Sequence, residues 1–431
     1  MTARPTSSQR VKRFARVRHY LRGRRAPGIA ILAFVSLGLP DGVLGVAWPT
    51  MCGTLGLDMA ELGGLLAAAM VGYLASASAS GTLVARLGVG RLLLLSSLVM
   101  TASSLGYALA PGRAAALGAA LLAGLGGGAI DAGINAYAAQ RFPPRLVTWL
   151  HACYGIGAML GPLLITGTIA SGRSWRVGYV VLAVALGAMA VGFAATRAAW
   201  DAPEIGADAP PAVPEAGDAT LGQTLACPAV WLSLALFFLY TGLEVTAAQW
   251  MYSVFTKGRG FDMHTAGLAV SAYWASLSLG RIVFGALAAR HDPERLLRVS
   301  LALAPGAALM TWWAPRADLG LLGLAALGFA FAPIYPLLVA ITPERLGRRH
   351  LTQAVGLQVA VAYLGTAALP GAGGALAASA GLEVIPAFVI AGTVALALLH
   401  EVAARAARRA PDHAGRPPFH SMNRTSEPNV G

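Results

Sequence analysis

Three carboxylates stand where hydrocarbon is expected. Asp41, Asp131 and Glu244 each interrupt a long apolar run, while the rest of the 19 acidic residues fall in turns, segment ends, a linker or tails. An ionised carboxylate in hydrocarbon is costly, so it must face a cavity, pair with a cation or take up a proton. A carboxyl holds its proton in a dry surround and gives it up when water or a cation reaches it. A group that meets the two sides of a membrane in turn can therefore load and release H⁺. Asp131 and Asn135 are four residues apart, hence on one face of a helix. Gly124, Gly127 and Gly128 lie on or near that face and allow close helix approach. For Asp41, Asp131 and Asn135 the alternatives are proton or ligand handling on one side, and interhelical hydrogen bonds or a gating pair on the other. Glu244 is a second candidate for proton coupling.

Arg281 is the one basic residue deep in an apolar run. It lies nine residues, ~13.5 Å of helix, from Arg290, too deep to snorkel. An unpaired Arg there is improbable, so an acid must face it, and Glu244 on the neighbouring segment is the expected partner. Structural pairing and substrate contact stay equally open for both. Arg86 and Arg290 close two short turns and read as gating or ion-pair residues. Gln358 is either a ligand contact or a hydrogen-bonded link between helices. Trp274 and Tyr335, and less so Trp250, can stack on a sugar ring or a flat drug, or anchor at the interface. No Cys/His spacing suggests a metal, and no cofactor motif is present. Three cysteines in or beside apolar segments make no disulfide framework.

These residues need apolar elements to hold them. The chain has 431 residues, 56% hydrophobic and 12% charged, against about 25% charged in a soluble domain. Segments of ~20 residues absorb that surface, about twelve of them. They read as 28–50, 62–84, 91–110, 114–139, 148–171, 177–198, 228–254, 266–289, 296–315, 319–341, 352–376 and 382–404, so the expectation is an all-α integral membrane protein. Net charge is +13, yet nucleic acid is not the expected partner, because the charge is spread along one rim. With a cytoplasmic N-terminus, 25 of the 32 Lys and Arg lie inside and six outside, with Arg281 within a span. That bias puts both termini in the cytoplasm of a cell membrane, with the basic rim on anionic lipid.

A basic tail (1–27) precedes a first bundle (28–198). An acidic, Pro-rich linker (199–226) leads to a second bundle (227–406) and a C-terminal tail (407–431). GTLVAR (81–86) and GALAAR (285–290), PPR (143–145) and PER (343–345), and YGIGAMLGP (154–162) and YLGTAALP (363–370) recur in order at offsets of 200 to about 208. Three repeats in one order favour duplication: two pseudo-symmetric six-helix halves around a central cavity.

The layout from 28 to 404 resembles the major facilitator superfamily. GTLVARLGVGR (81–91) looks like its signature between helices two and three, with Ala85 where the family has Asp, so any latch built on that Asp is weaker or differently made here. PDGVLGVAWP (40–49), GGGAIDAGINAY (126–137), LYTGLEVTAAQW (239–250), AYWASLSLGR (272–281), APIYPLL (332–338) and LQVAVAYLG (357–365) resemble the fucose-permease-like sugar:proton symporters. That resemblance implies that Asp131 is the proton-sensitive acid, that Asp41 is a sugar ligand, and that the proton gradient, not a cofactor, drives uptake. The expected function is proton-coupled transport of a small hydroxyl-rich solute by a monomer. The alternative is a proton antiporter exporting a drug, aminocyclitol or other metabolite. An enzyme lacks its catalytic cluster, and a non-transporting sensor would not need the intramembrane acids.

Overall fold

The computed structural model describes residues 28–141, 144–200 and 219–409, except residue 29. The expected basic tail and most of the linker and C-terminal tail lie outside the described residues. Among those described there is no strand, and helices cover nearly the whole length.

Among the described residues twelve long helical spans follow one another. They are Ala30–Leu55, Leu62–Leu87, Val89–Leu109, Arg113–Arg141, Pro144–Ala170, Trp175–Trp200, Pro228–Ser253, Met263–Ala288, Pro293–Trp312, Ala317–Leu346, Leu351–Ala380 and Val384–Arg409, numbered one to twelve. Eleven of these are long and apolar enough to cross a membrane. Span nine is the exception, because Arg295 and Arg298 fall in its first two turns. Its start is fixed by Asp292, whose carboxylate accepts from the Glu294 amide, with Pro293 as the first helical residue. Span eight is capped the same way by Asp262, which accepts from Thr265 N at 2.8 Å. The expected linker ends in a short helix, Leu221–Leu225, closed by a Thr220/Gln223 capping box.

Two spans are broken. Span one unwinds over 39–42, where Pro40 cannot donate and Gly42 takes φ 71°, and resumes at Val43. Span ten unwinds at Ala332–Pro333, between Ala317–Phe331 and Ile334–Leu346. Asp41 stands in the first break, and Tyr335 two residues after Pro333.

Spans two, three, four and six pack together, and so do seven, nine, ten, eleven and twelve, with eight against ten. One group meets the other where span one meets seven, two meets eleven, and five meets eight. The contacts Gly45–Gln249, Gly63–Gly371 and Thr166–Gly267 lie toward the end of the bundle opposite residues 30, 87 and 288.

At that opposite end four arginines have partners. Arg176 donates to Ala108 O and Ala110 O at 2.7 and 2.8 Å, capping the end of span three, and stacks on Trp175. Arg259 does the same for span nine, donating to Thr311 O and Trp312 O at 2.8 Å while paired with Glu383. Arg113 pairs with Glu61, and Arg316 with Asp318.

At the basic end, Glu294 joins spans nine, ten and twelve. Its carboxylate lies 3.0 Å from Arg345 and 3.2 Å from Nε2 of the buried His400. Glu294 is in the first turn of span nine, before the apolar stretch. Glu294→Gln removes the charge that Arg345 and His400 share, so it is expected to lower thermal stability in detergent. An unchanged melting temperature shows that this cluster does not hold the three spans together.

Candidate functional site

Each of the three intramembrane acids is met by a tyrosine hydroxyl. Tyr154 of span five donates to Oδ2 of Asp41. The break in span one frees Asp41 from a regular helix, and span five supplies the hydroxyl beside it. Tyr240 stands one turn before Glu244 on span seven. Its hydroxyl lies against Glu244 Oε2 and is 3.0 Å from Phe331 O, at the end of the first part of span ten. Tyr273 of span eight donates to the backbone oxygen of Glu244 at 2.9 Å. Arg281 Nη2 is 3.7 Å from Glu244 Oε1, so the structure brings together the pair expected from the sequence.

Asp131 has the densest surround. Tyr73 of span two donates to its Oδ2, and Asn135 donates to its Oδ1 at 2.6 Å. The hydroxyl of Tyr363, on span eleven, lies against Tyr73 Oη and 3.2 Å from Asp131 Oδ2. The two tyrosine rings lie 3.9 Å apart, centroid to centroid. Asp131 is thus tied to both groups of spans. It faces protein, not lipid, and it is half-buried, as is Asp41.

The acids share one region. Asp41 is within electrostatic reach of Asp131, Glu244 and Arg281, and so is Tyr335 of the last three. Tyr335 is half-buried, edge-on to Phe237 and near Tyr240. Trp274 is buried against Gly42, beside Asp41.

Other expected residues lie elsewhere. Gln358 is buried nearer the basic end, where its amide donates to Ser233 at 2.7 Å and Thr342 at 3.1 Å, linking spans seven, ten and eleven. Trp250 donates to Pro370 O and fills the join between seven and eleven. Arg86 and Arg290 are exposed at the basic end. Among the described residues no cluster of His, Cys, Asp and Glu could hold a metal.

The arrangement suits proton transfer at a joint. An ionised Asp131 accepts from Tyr73, Asn135 and Tyr363. A protonated one offers fewer acceptor sites and becomes a donor. Tyr363→Phe keeps the ring contact and removes the cross-link. Solute equilibration is expected to persist while gradient-driven accumulation falls about tenfold, the accumulation that ~1.4 kcal/mol, one pH unit, sustains. Paired uptake assays with and without a gradient check this.

These features define a multi-pass membrane transporter. The chain belongs to the Major Facilitator Superfamily, whose family model matches residues 30–266 and 232–426. Among curated relatives, Bypass of stop codon protein 6 of Saccharomyces cerevisiae is 23% identical over 83% of this chain and 78% of its own length. Protein TsgA homolog of Serratia proteamaculans is 23% identical over 48% of this chain, and the match spans half of that relative. Among solved structures, the nucleoside transporter NupG superposes with TM-score 0.69 at 14% identity, over 87% of this chain and 98% of that one. A bacterial homologue of the human lysosomal transporter Spinster, inward-facing and occupied, gives TM-score 0.69 at 14% identity, over 91% and 99%. At that identity these likenesses show the fold alone.

Proposed function

We propose that the protein is a secondary transporter that couples proton movement to the passage of a small hydroxyl-rich, sugar-like solute. The observation that carries this reading is the Tyr73–Asp131–Tyr363 cluster, in which one titratable group joins the two sets of spans. Spans one to six and seven to twelve act as pseudo-symmetric halves that rock about a shared site. The double match of the family model and the internal repeats support that division. With both termini in the cytoplasm of a cell membrane, the end where the halves meet is the outer one and the chain stands inward-facing. The basic rim then lies on anionic lipid.

Asp41 at its helix break is positioned to accept hydrogen bonds from solute hydroxyls, as is Asn135 to exchange them. Trp274 and Tyr335 offer ring faces to the solute. Glu244 and Arg281 hold spans seven and eight and tune the charge beside the solute, and Glu244 is the second proton-sensitive group. Gln358 steadies span eleven, which carries Tyr363. Arg86 and Arg290 flank the inner opening. The energy source is the proton gradient, and the monomer suffices.

The test is uptake into proteoliposomes under an imposed pH gradient, screened against hexoses, nucleosides, aminocyclitols and cationic drugs. The nucleosides are included because a protein of the same fold is a nucleoside transporter. An inward proton gradient is expected to drive accumulation of a neutral hydroxylated solute. Depletion of a preloaded solute under that gradient replaces this reading with antiport.

A further inference from the structure

The contact between the two sets of spans leaves polar atoms unpaired. Thr166 Oγ1, Gln249 Oε1 and Trp274 Nε1 are buried and lack a hydrogen-bond partner. Their residues are 2%, 9% and 5% exposed. All three lie against the other set of spans: Thr166 of span five on Gly267 of eight, Gln249 of seven on Gly45 of one, and Trp274 of eight on Gly42 of one. Other buried atoms among the described residues also lack a partner, but these three belong to residues seated directly on glycines of the other set of spans, and buried polar groups are nearly always satisfied, so their position calls for a cause. A permanent interface would replace them with apolar groups or pair them. An interface that opens keeps them, because they are satisfied when it is open.

We infer that Thr166 and Gln249 line the outer half of the solute path, that Trp274 stands where this half meets the site beside Asp41, and that Gly45 and Gly267 are the seats on which it closes. This rests on the alternating-access reading and adds to it where the path runs and what it selects. The groups offer a hydroxyl, an amide acceptor and an indole donor. None is ionisable in the working range, so this half of the path recognises hydrogen-bonding capacity, not charge. It fits a neutral polyhydroxylated solute and disfavours a cation. The seats are close: a methyl at Gly45 meets Gln249 Cα and backbone O at 2.6 Å, and one at Gly267 collides with Thr166 Oγ1. Neither obstacle is the far end of a flexible chain, so even alanine holds the joint apart.

The test uses the full chain in cells, with Cys52, Cys153 and Cys227 replaced by serine and one reporter cysteine added. An impermeant maleimide is applied from outside. Thr166→Cys is expected to label slowly when Gly45 is intact and at least about tenfold faster with Gly45→Ala. Gln249→Cys is expected to respond likewise to Gly267→Ala. Gln249→Leu removes a group satisfied only in the open state, so it is expected to slow labelling of Thr166→Cys about tenfold. Unchanged rates in both glycine variants, with normal surface expression, overturn the closing seats. An unchanged rate in Gln249→Leu overturns the path lining. Failure of the transport reading is separate: the wild-type chain then moves no solute under any gradient, whatever the labelling.

Discussion

Asp131→Asn leaves a transporter that exchanges its solute but cannot concentrate it. Asparagine has the shape of a protonated aspartate and can never ionise. It keeps an oxygen for either Tyr73 or Asn135, so the joint of spans two, four and eleven survives in rewired form. What is lost is the change of state. One pH unit is worth about 1.4 kcal/mol and sustains about tenfold accumulation at one proton per solute. The variant is expected to fall to no accumulation, with exchange kept within about tenfold of wild type. Uphill transport at the wild-type ratio removes Asp131 from the coupling step.

The second large effect concerns the pair between spans seven and eight. Arg281 and Glu244 are mostly buried, with side chains 29% and 12% exposed. Removing one partner strands the other, which costs about 3–5 kcal/mol in buried pairs. Glu244→Arg alone and Arg281→Glu alone are each expected to lower thermal stability in detergent and to abolish uptake. Combined, they restore opposite charge at the same place, and the cycle should show a coupling of about 1–3 kcal/mol. Tyr240 donates to the Glu244 carboxylate, a bond that an arginine at that position cannot accept, so rescue of stability should exceed rescue of uptake. Strict additivity of the two losses shows that the charges do not act as a pair.

Much of the architecture could be read from the residues alone, since a span announces itself by uninterrupted apolar length. The expected span five, 148–171, is found as Pro144–Ala170, and the expected eleven, 352–376, as Leu351–Ala380. The Arg281–Glu244 contact was legible because a deep arginine requires an acid. The breaks were less so. Pro40 and Pro333 end helices, while Pro49, Pro162 and Pro370 lie inside continuous ones, so proline alone does not mark the functional break. The tyrosines were hardest to foresee. A lone Tyr among Ala and Leu reads as packing, and its partner lies far along the chain: 58 residues from Tyr73 to Asp131 and 232 from Asp131 to Tyr363. The one signal was repetition, since Tyr154 and Tyr363 head matching segments and each supplies a hydroxyl to a carboxylate. Gln358 carried no mark to separate a ligand contact from a helix link, and its bonds to Ser233 and Thr342 came only from packing.

The central claim is that Asp131 takes up and releases the proton that travels with the solute. The most direct measurement follows external pH in a weakly buffered suspension of proteoliposomes, without any imposed gradient, when the accepted solute is added. Wild-type protein should turn the medium alkaline as solute enters, and Asp131→Asn should give solute entry with no pH change. Acidification by the wild-type protein, or equal alkalinisation by the variant, contradicts the claim.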